Sequence, residues 1–587
     1  MKKTICIIYL LCISTLLFAQ KHDNIWVMGY HGQTAHPLQN TMTIDFGEVP
    51  PVITNLELND GMSFNFTNAS ISDAEGNLLF YTNGIYIADA SHEVMENGEF
   101  INDVGISQQY SDSGLPVYQG ALILPKPEND SLYYIFHVPL ILDPNGLDAF
   151  VFQLNYSIVD MNKNEYNGAV LEKDVMIIED TLGSGKLTAC KHGNGRDWWI
   201  LVRKEERFSR EVYRLLLTPQ GIMNMGKQEA GPEIIYPNGA VGNVVFSPDG
   251  TRYISHEIRF NPFNAIDIYD FNRCTGELQH LEHFTLDDST YFLGGAVVSP
   301  DSRYLYGVTN QTIYQFDLWG NNVEETKTPI AVYDGFVGLA FGSFFGAPQL
   351  APDGAIWINT VSDTVMHVIR TPNQPGMKSH VDQHSIHLPV VNQKSIPNFP
   401  NYRLGPLDGS PCDTLGLDNH PLAGFSWYAE ELEVTFSDNS YYRPEEWLWD
   451  FGDGSGSTER NPIHSYAAPG EYYVCLSVSN EYDSDTACHW VSVDTLLTAT
   501  EPLSTGGSVR LYPNPAREEV WLSFDETLTH PATWTVFDTV GRQVGAVALE
   551  PGKSRYHFYT GGLASGLYFW NLQSEGRILA AGKVVRE

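Results

Sequence analysis

A turn repeated at fixed spacing is what most constrains the fold of this chain. Phe246-Ser247-Pro248-Asp249-Gly250-Thr251-Arg252-Tyr253 returns as Val298-Ser299-Pro300-Asp301-Ser302-Arg303-Tyr304 and as Leu350-Ala351-Pro352-Asp353-Gly354-Ala355-Ile356-Trp357, 52 residues apart both times. Each copy is an apolar strand, a Pro-Asp-Gly/Ser turn and a second strand rich in aromatics, the pattern of a β-hairpin. Looser copies lie upstream at 73–81, 128–136 and 193–201. A small sheet repeated at this period cannot bury both faces alone, so the copies must stack on one another. Six anchors, with a strand near Ile25-Trp26-Val27-Met28 to close the ring, predict a β-propeller of six or seven blades over residues 22–415. The expected fold class is all-β throughout, with the propeller followed by two immunoglobulin-like β-sandwich domains. A run of independent sandwiches fits less well, because no linker interrupts the repeats.

The rest of the chain divides by composition. Met1-Lys2-Lys3 followed by the apolar run Ile5–Phe18 and Ala19-Gln20 has the form of a signal peptide over 1–20. No later segment is apolar enough for a membrane span. Polar and small residues over 495–508 read as a linker. With 71 acidic against 34 basic residues, a net charge of −37, the chain lacks the basic footprint that nucleic acid requires. The excess of carboxylates reads as a solubility device for an exported protein.

Between 421 and 494, Trp447-Leu448-Trp449-Asp450-Phe451-Gly452-Asp453-Gly454 is followed by Asn461-Pro462-Ile463-His464-Ser465-Tyr466 and Pro469-Gly470-Glu471-Tyr472-Tyr473-Val474. Alternation turns Trp449 and Phe451 inward, to be met by Tyr472 and Val474 of the facing sheet. In this order the three phrases resemble a PKD domain. Cys475 and Cys488 fall on neighbouring strands, which predicts a disulfide between them in an exported protein. Cys190, Cys274 and Cys412 leave an odd count.

Residues 509–587 carry Tyr512-Pro513-Asn514-Pro515-Ala516, then Gly566-Leu567-Tyr568 and a terminal Lys583-Val584-Val585. They resemble the C-terminal sorting domain of the type IX secretion system of Bacteroidetes-type bacteria. That resemblance implies recognition by the type IX machinery and a secreted or outer-membrane-surface location. Residues 22–415 are similar to an uncharacterised propeller-like region of exported Bacteroidetes proteins, through Leu79-Phe80-Tyr81-Thr82-Asn83-Gly84, Gln119-Gly120-Ala121-Leu122-Ile123-Leu124-Pro125 and the stretch from Asn398 to Pro406. No activity comes with that similarity.

Catalytic motifs fail. There is no H-E-x-x-H and no G-x-S-x-G. Gly183-Ser184-Gly185-Lys186-Leu187 lacks the first glycine and the Ser/Thr of a phosphate-binding loop, and reads as a turn. The Asp of each Ser-Pro-Asp turn reads as a backbone hydrogen-bond acceptor. His380, His384 and His387 form the one histidine cluster; in an extended chain His380 and His384 share a face and His387 points away. Asp438, Asp450 and Asp453 are the oxygen ligands a calcium ion would use, although turn bonding accounts for two of them without an ion, and no cofactor is otherwise expected. Tyr441, Tyr442 and Trp447 are candidates for an exposed aromatic face that binds sugar or protein. The expected function is non-catalytic binding or adhesion at the cell surface to an extracellular glycan or protein. The alternatives are a hydrolase of polysaccharide or peptide with its site in the propeller channel, and a structural part of the envelope or gliding machinery.

Overall fold

A computed structural model describes residues 20–493 except 32–37, 143–148, 207, 234–241, 259–263, 287–293 and 340–341. It also describes 509–586 except 513–515, 517–518, 525–529, 539–541, 554, 561, 565 and 575–576. The predicted signal peptide, apart from Gln20, and the linker therefore lie outside the described residues. Two compact units emerge, one ending at Val493 and one beginning at Asp494.

Seven blades make up most of the first unit, in six sheets, because one continuous eight-stranded sheet comprises two of them. Blade one is Ile25–Gly29, Thr41–Asp45 and Val52–Asn55; blade two is Ala69–Ser72, Leu78–Thr82 and Ile87–Asp89. Blades five, six and seven are four-stranded antiparallel sheets whose innermost strands are Val244–Phe246, Gly294–Val298 and Pro348–Leu350. Blades three and four share a strand. Within Ala169–Lys191, residues up to Leu182 pair with Ala149–Asp160 of blade three, those from Leu187 pair with Trp198–Lys204 of blade four, and Leu182 itself pairs on both sides, with Val151 and Lys204. Gly183-Ser184-Gly185-Lys186 is thus the irregularity at which one strand passes between blades, with Gly185 at φ +74. It is not the turn expected from its composition.

All six sequence anchors are hairpins that join an innermost strand to its neighbour. Ser247 Oγ donates to Asp249 at 2.5 Å while Asp249 accepts the Thr251 N–H at 3.0 Å; Ser299, Asp301 and Arg303 repeat the arrangement at 2.5 and 3.1 Å. The residue after the Asp takes positive φ, at Gly250, Ser302 and Gly354 alike, which explains its small side chain.

Apolar clusters between neighbouring blades close the ring. Trp199 and Leu201 of blade four pack with Tyr253 and Tyr269 of blade five, and Ile254 and Ile266 of blade five pack with Leu305 and Phe316 of blade six. Tyr306 and Ile313 of blade six pack with Ile356 and Ile358 of blade seven. Trp26, Met28 and Ile44 of blade one then meet Trp357, Met366 and Val390 of blade seven.

After the ring comes a two-sheet sandwich. Phe425–Glu430, Glu433–Asp438 and Ile463–Ser465 form one sheet; Gly456–Ser457, Glu446–Asp450, Gly470–Ser479 and Ser484–Val493 form the other. Trp449, Phe451, Val474, Leu476 and Val491 fill the space between them. Cys475 lies directly opposite Cys488, and the two are joined as a disulfide. A second disulfide, Cys274–Cys412, ties a blade-five turn to the segment that follows the ring, and Cys190 is free and buried. The second unit is a separate sandwich of a three-stranded and a four-stranded sheet around Trp534, Val536, Leu522 and Leu572.

Candidate functional site

A propeller channel is the usual place to look for a pocket, and here the chain fills its own. Residues 395–406 run along the innermost strands. The Asn398 side chain donates to the carbonyls of Ala121 at 3.0 Å and Leu187 at 3.3 Å and accepts from Gln119, while its backbone N–H bonds to Asn68. The side chain thereby joins inner strands of blades three and four, the backbone adds the edge of blade two, and Gln119 extends the link to Val244 of blade five. Farther along, the fully buried Tyr402 donates to the carbonyl of Ile123 at 2.7 Å with its ring against Trp198 and Phe399. Asn401 reaches Pro248 in the blade-five turn, and Arg403 pairs with Asp23. The segment passes from the starts of the inner strands to the end where the Pro-Asp turns lie. A stretch rich in Pro, Gly and Asn suits this position, because its side-chain amides satisfy inner-edge carbonyls that have no further strand to pair with.

At that turn end the sandwich rests on the ring. Asn373 and Gln374 of blade seven bond to Asn461, both at 3.2 Å, and Asn439 bonds to the Asp353 carbonyl at 3.1 Å. The aromatics expected to form an exposed face are engaged there: the Arg403 guanidinium lies 4.9 Å over Tyr441, Tyr442 abuts Gly405, and Arg460 covers Trp447 at 5.2 Å. This corrects the sequence expectation. Among the aromatics left open on the sandwich, Tyr473 and Trp490 are cross-strand partners with rings 5.0 Å apart, while Tyr482 stands open in the turn that joins their strands.

The three aspartates considered for calcium are each engaged separately. Buried Asp438 pairs with Arg460 at 2.9 Å, Asp450 accepts the Gly452 N–H, and Asp453 bonds Ser455 and, at 2.8 Å, His464. A guanidinium on Asp438 and an imidazole on Asp453 do not suit a cation site. His380 precedes the strand Val381–Asn392 rather than sharing a face with His384, and its ring lies against Tyr428; His384 stacks on Phe336 and bonds Asp334. Among the described residues no group of three or more His, Cys, Asp or Glu is placed to hold a metal ion.

Where blades six and seven meet the sandwich there is an open cleft of about 600 Å³. Its floor is the Ser299–Tyr304 turn, one wall is the strand Thr312–Asp317 with Trp319 beyond it, and Arg460 and Asn461 close the far side. Arg303 forms a two-nitrogen pair with Asp317, at 2.8 Å for the shorter bond, and its guanidinium lies between Tyr304 and Trp319, 4.9 and 5.1 Å from the ring centres. Trp319 nevertheless stays 63% exposed. Burial would raise the Asp317 carboxyl, but Arg303 and the Trp319 N–H outweigh it and hold it below its usual value. Burial raises Asp301, whose carboxylate is spent within its own turn, as those of Asp249 and Asp353 are. Two carboxyls shifted apart invite an acid–base reading, yet the upward shift of Asp301 comes from burial, and its carboxylate is bonded within its own turn to Ser299 and Arg303. Sequence reasoning missed Trp319. The signal was available: a tryptophan at a strand end followed by Gly320-Asn321-Asn322 has nothing local to cover it.

In the second unit the separated sorting phrases come together. Gly566, Leu567 and Tyr568 pair with Arg586, Val585 and Val584, Lys583 pairs with Phe569, and the Ala516 N–H bonds the Val585 carbonyl at 2.7 Å. Tyr512 ends the strand Val509–Tyr512, while Pro513, Asn514 and Pro515 lie outside the described residues.

The architecture is that of an all-β, modular protein: a seven-bladed ring and two sandwiches. Residues 428–494 match the PKD domain family, and residues 510–586 match the family described as secretion system C-terminal sorting domain. The latter marks the protein for export by type IX secretion to the cell surface or the extracellular space. Among curated proteins, a microbial collagenase of Vibrio alginolyticus is 44% identical over 68 residues, 11% of this chain and 8% of the relative. The pre-pro-metalloprotease PrtV of Vibrio cholerae is 40% identical over 79 residues, 13% of this chain and 9% of the relative. The chain thus spans less than a tenth of either. The solved PKD1 domain of PrtV is 39% identical, covering 13% of this chain and 99% of its own, at TM-score 0.13. The periplasmic gluconolactonase of Pseudomonas aeruginosa is 12% identical, covering 73% of this chain and 99% of its own, at TM-score 0.30. Among the described residues no helix is long and apolar enough to cross a membrane.

Proposed function

We propose that this exported protein is a non-catalytic binding or adhesion module that engages an extracellular glycan or protein through its outer surfaces. The observation that carries the reading is the filled axis. A propeller enzyme draws its reacting groups from the inner strands around a central opening. Here Asn398, Tyr402 and Arg403 occupy that line with their polar atoms already bonded to the ring. A group whose hydrogen bonds are committed to the scaffold is poorly placed to bind substrate. The names collagenase and metalloprotease belong to relatives that share only a short stretch with this chain, so they lend the hydrolase alternative little.

The test is a combined glycan and protein array probed with labelled residues 20–493, the compact unit that precedes the sorting domain. Reproducible, saturable retention on one class of spot is the expected result. Silence on every spot, together with turnover of polysaccharide or peptide in activity screens, would replace binding by catalysis.

A further inference from the structure

Resting on that reading, the cleft between blade six and the sandwich carries a more specific assignment. We propose that it binds a neutral glycan, with one pyranose ring stacked on the open face of Trp319. Three observations converge on this chemistry. First, an indole that is 63% exposed costs free energy unless something covers it, and its second face is already held by the Arg303 guanidinium at 5.1 Å. The indole is therefore a fixed platform with one side free, and a sugar's apolar C–H face suits such a platform. Second, the polar groups around it are planar and pre-oriented. Asp317 is locked by Arg303, and Arg460 is locked by Asp438 at 2.9 Å, so each can meet ring hydroxyls without reordering. The volume of about 600 Å³ falls in the range of ligand clefts, roughly 300–1,000 Å³.

Third, charge selects the class of glycan. Both guanidiniums are paired with carboxylates, and Asp301 adds a further carboxylate, so the walls hold no uncompensated cation for a uronate or sulfate. The chain as a whole carries −37, which repels polyanions over the Debye length. Blades six and seven and the sandwich all contribute walls, so the site exists only when the sandwich is docked on blade seven through Asn373, Gln374 and Asn461. A neutral, hydroxyl-rich chain is the ligand that fits.

The experiment is affinity electrophoresis and calorimetry of residues 20–587 against a panel of neutral polysaccharides (mannan, mixed-linkage β-glucan, xyloglucan) and anionic ones (polygalacturonate, alginate). Trp319→Ala, Trp319→Phe and Trp490→Ala are run alongside. The assignment expects a neutral polysaccharide to be retained and Trp319→Ala to weaken it by about tenfold or more. It also expects Trp319→Phe to keep part of the affinity and Trp490→Ala to leave it unchanged. The melting temperature of Trp319→Ala should match that of the parent, because the ring is exposed. Neutral-glycan binding that ignores Trp319→Ala, or that disappears in Trp490→Ala, overturns the cleft while leaving surface binding intact. Retention on the anionic set alone overturns the selection by charge. Retention on no polysaccharide overturns the assignment, and the protein spots of the array then decide the broader reading separately.

Discussion

Tyr402 offers the most demanding test of the filled axis. It is fully buried, with its ring edge-on to Trp198 at 5.8 Å and near Phe399 and His22 at 6.4 and 5.2 Å. Its hydroxyl makes one described hydrogen bond, to the Ile123 carbonyl on the inner edge of blade three. Burial raises its pKa well above the ordinary tyrosine value, so the hydroxyl remains a neutral donor. Tyr402→Phe removes the donor and leaves one buried carbonyl unpaired, a loss of about 1–2 kcal/mol. Tyr402→Ala also removes the ring from the middle of the bladed core and should cost about 4–7 kcal/mol, a buried-aromatic truncation of about 3–5 with the lost hydrogen bond added. Urea unfolding of residues 20–493 reads both, through the fluorescence of Trp26, Trp198 and Trp357, all buried in or beside this region. Midpoints should fall in the order parent, Phe, Ala, with the second step larger than the first. An Ala variant within about 0.5 kcal/mol of the parent would mean that residues 395–406 lie loosely in an open channel, and the filled axis would no longer speak against catalysis there.

Two further perturbations follow from side chains already described. Burial holds the imidazoles of His137, His256 and His367 neutral, at about 3, 4 and 4 respectively. In the unfolded chain they take up protons below about pH 6.5, so their contribution is complete above that value. It erodes as pH falls and is gone once pH passes the folded values. The melting temperature should therefore drop between about pH 7 and about pH 5, and His137→Gln should flatten the slope. In the sandwich, Cys475→Ser with Cys488→Ser opens a disulfide between residues 13 apart and should lower that domain's stability by about 2–3 kcal/mol, measured by differential scanning calorimetry.

What could be read from the sequence was local. The Pro-Asp hairpins are fixed by side chains bonding two to five residues away, so Asp249, Asp301 and Asp353 announce their turns without reference to the rest of the chain. The sandwich was legible for the same reason: Trp449 and Phe451 alternate inward on one strand, and Cys475 meets Cys488 across one hairpin. Long-range pairings were not. Nothing near Cys274 points to Cys412, 138 residues on, and nothing near Asn398 indicates that it would bind Ala121 and Leu187. The strand shared by blades three and four was hidden because Gly183-Ser184-Gly185 has the composition of a turn while its neighbours keep pairing. Tyr441, Tyr442 and Trp447 were placed on an open face because a sequence does not show that residues 403–405 will cover the two tyrosines or that Arg460, 13 residues on, will cover Trp447. Trp319 was legible from the Gly320-Asn321-Asn322 that follows it, but its pairing with Arg303, 16 residues earlier, and the cleft around it were not.

Incubation of residues 20–493 with an insoluble neutral polysaccharide, followed by sedimentation and assay of the supernatant for new reducing ends, puts binding and catalysis in one tube. A binding module should sediment with the polysaccharide, Trp319→Ala should leave it in the supernatant, and no new reducing ends should appear. Release of reducing ends by the parent protein would contradict the non-catalytic reading directly.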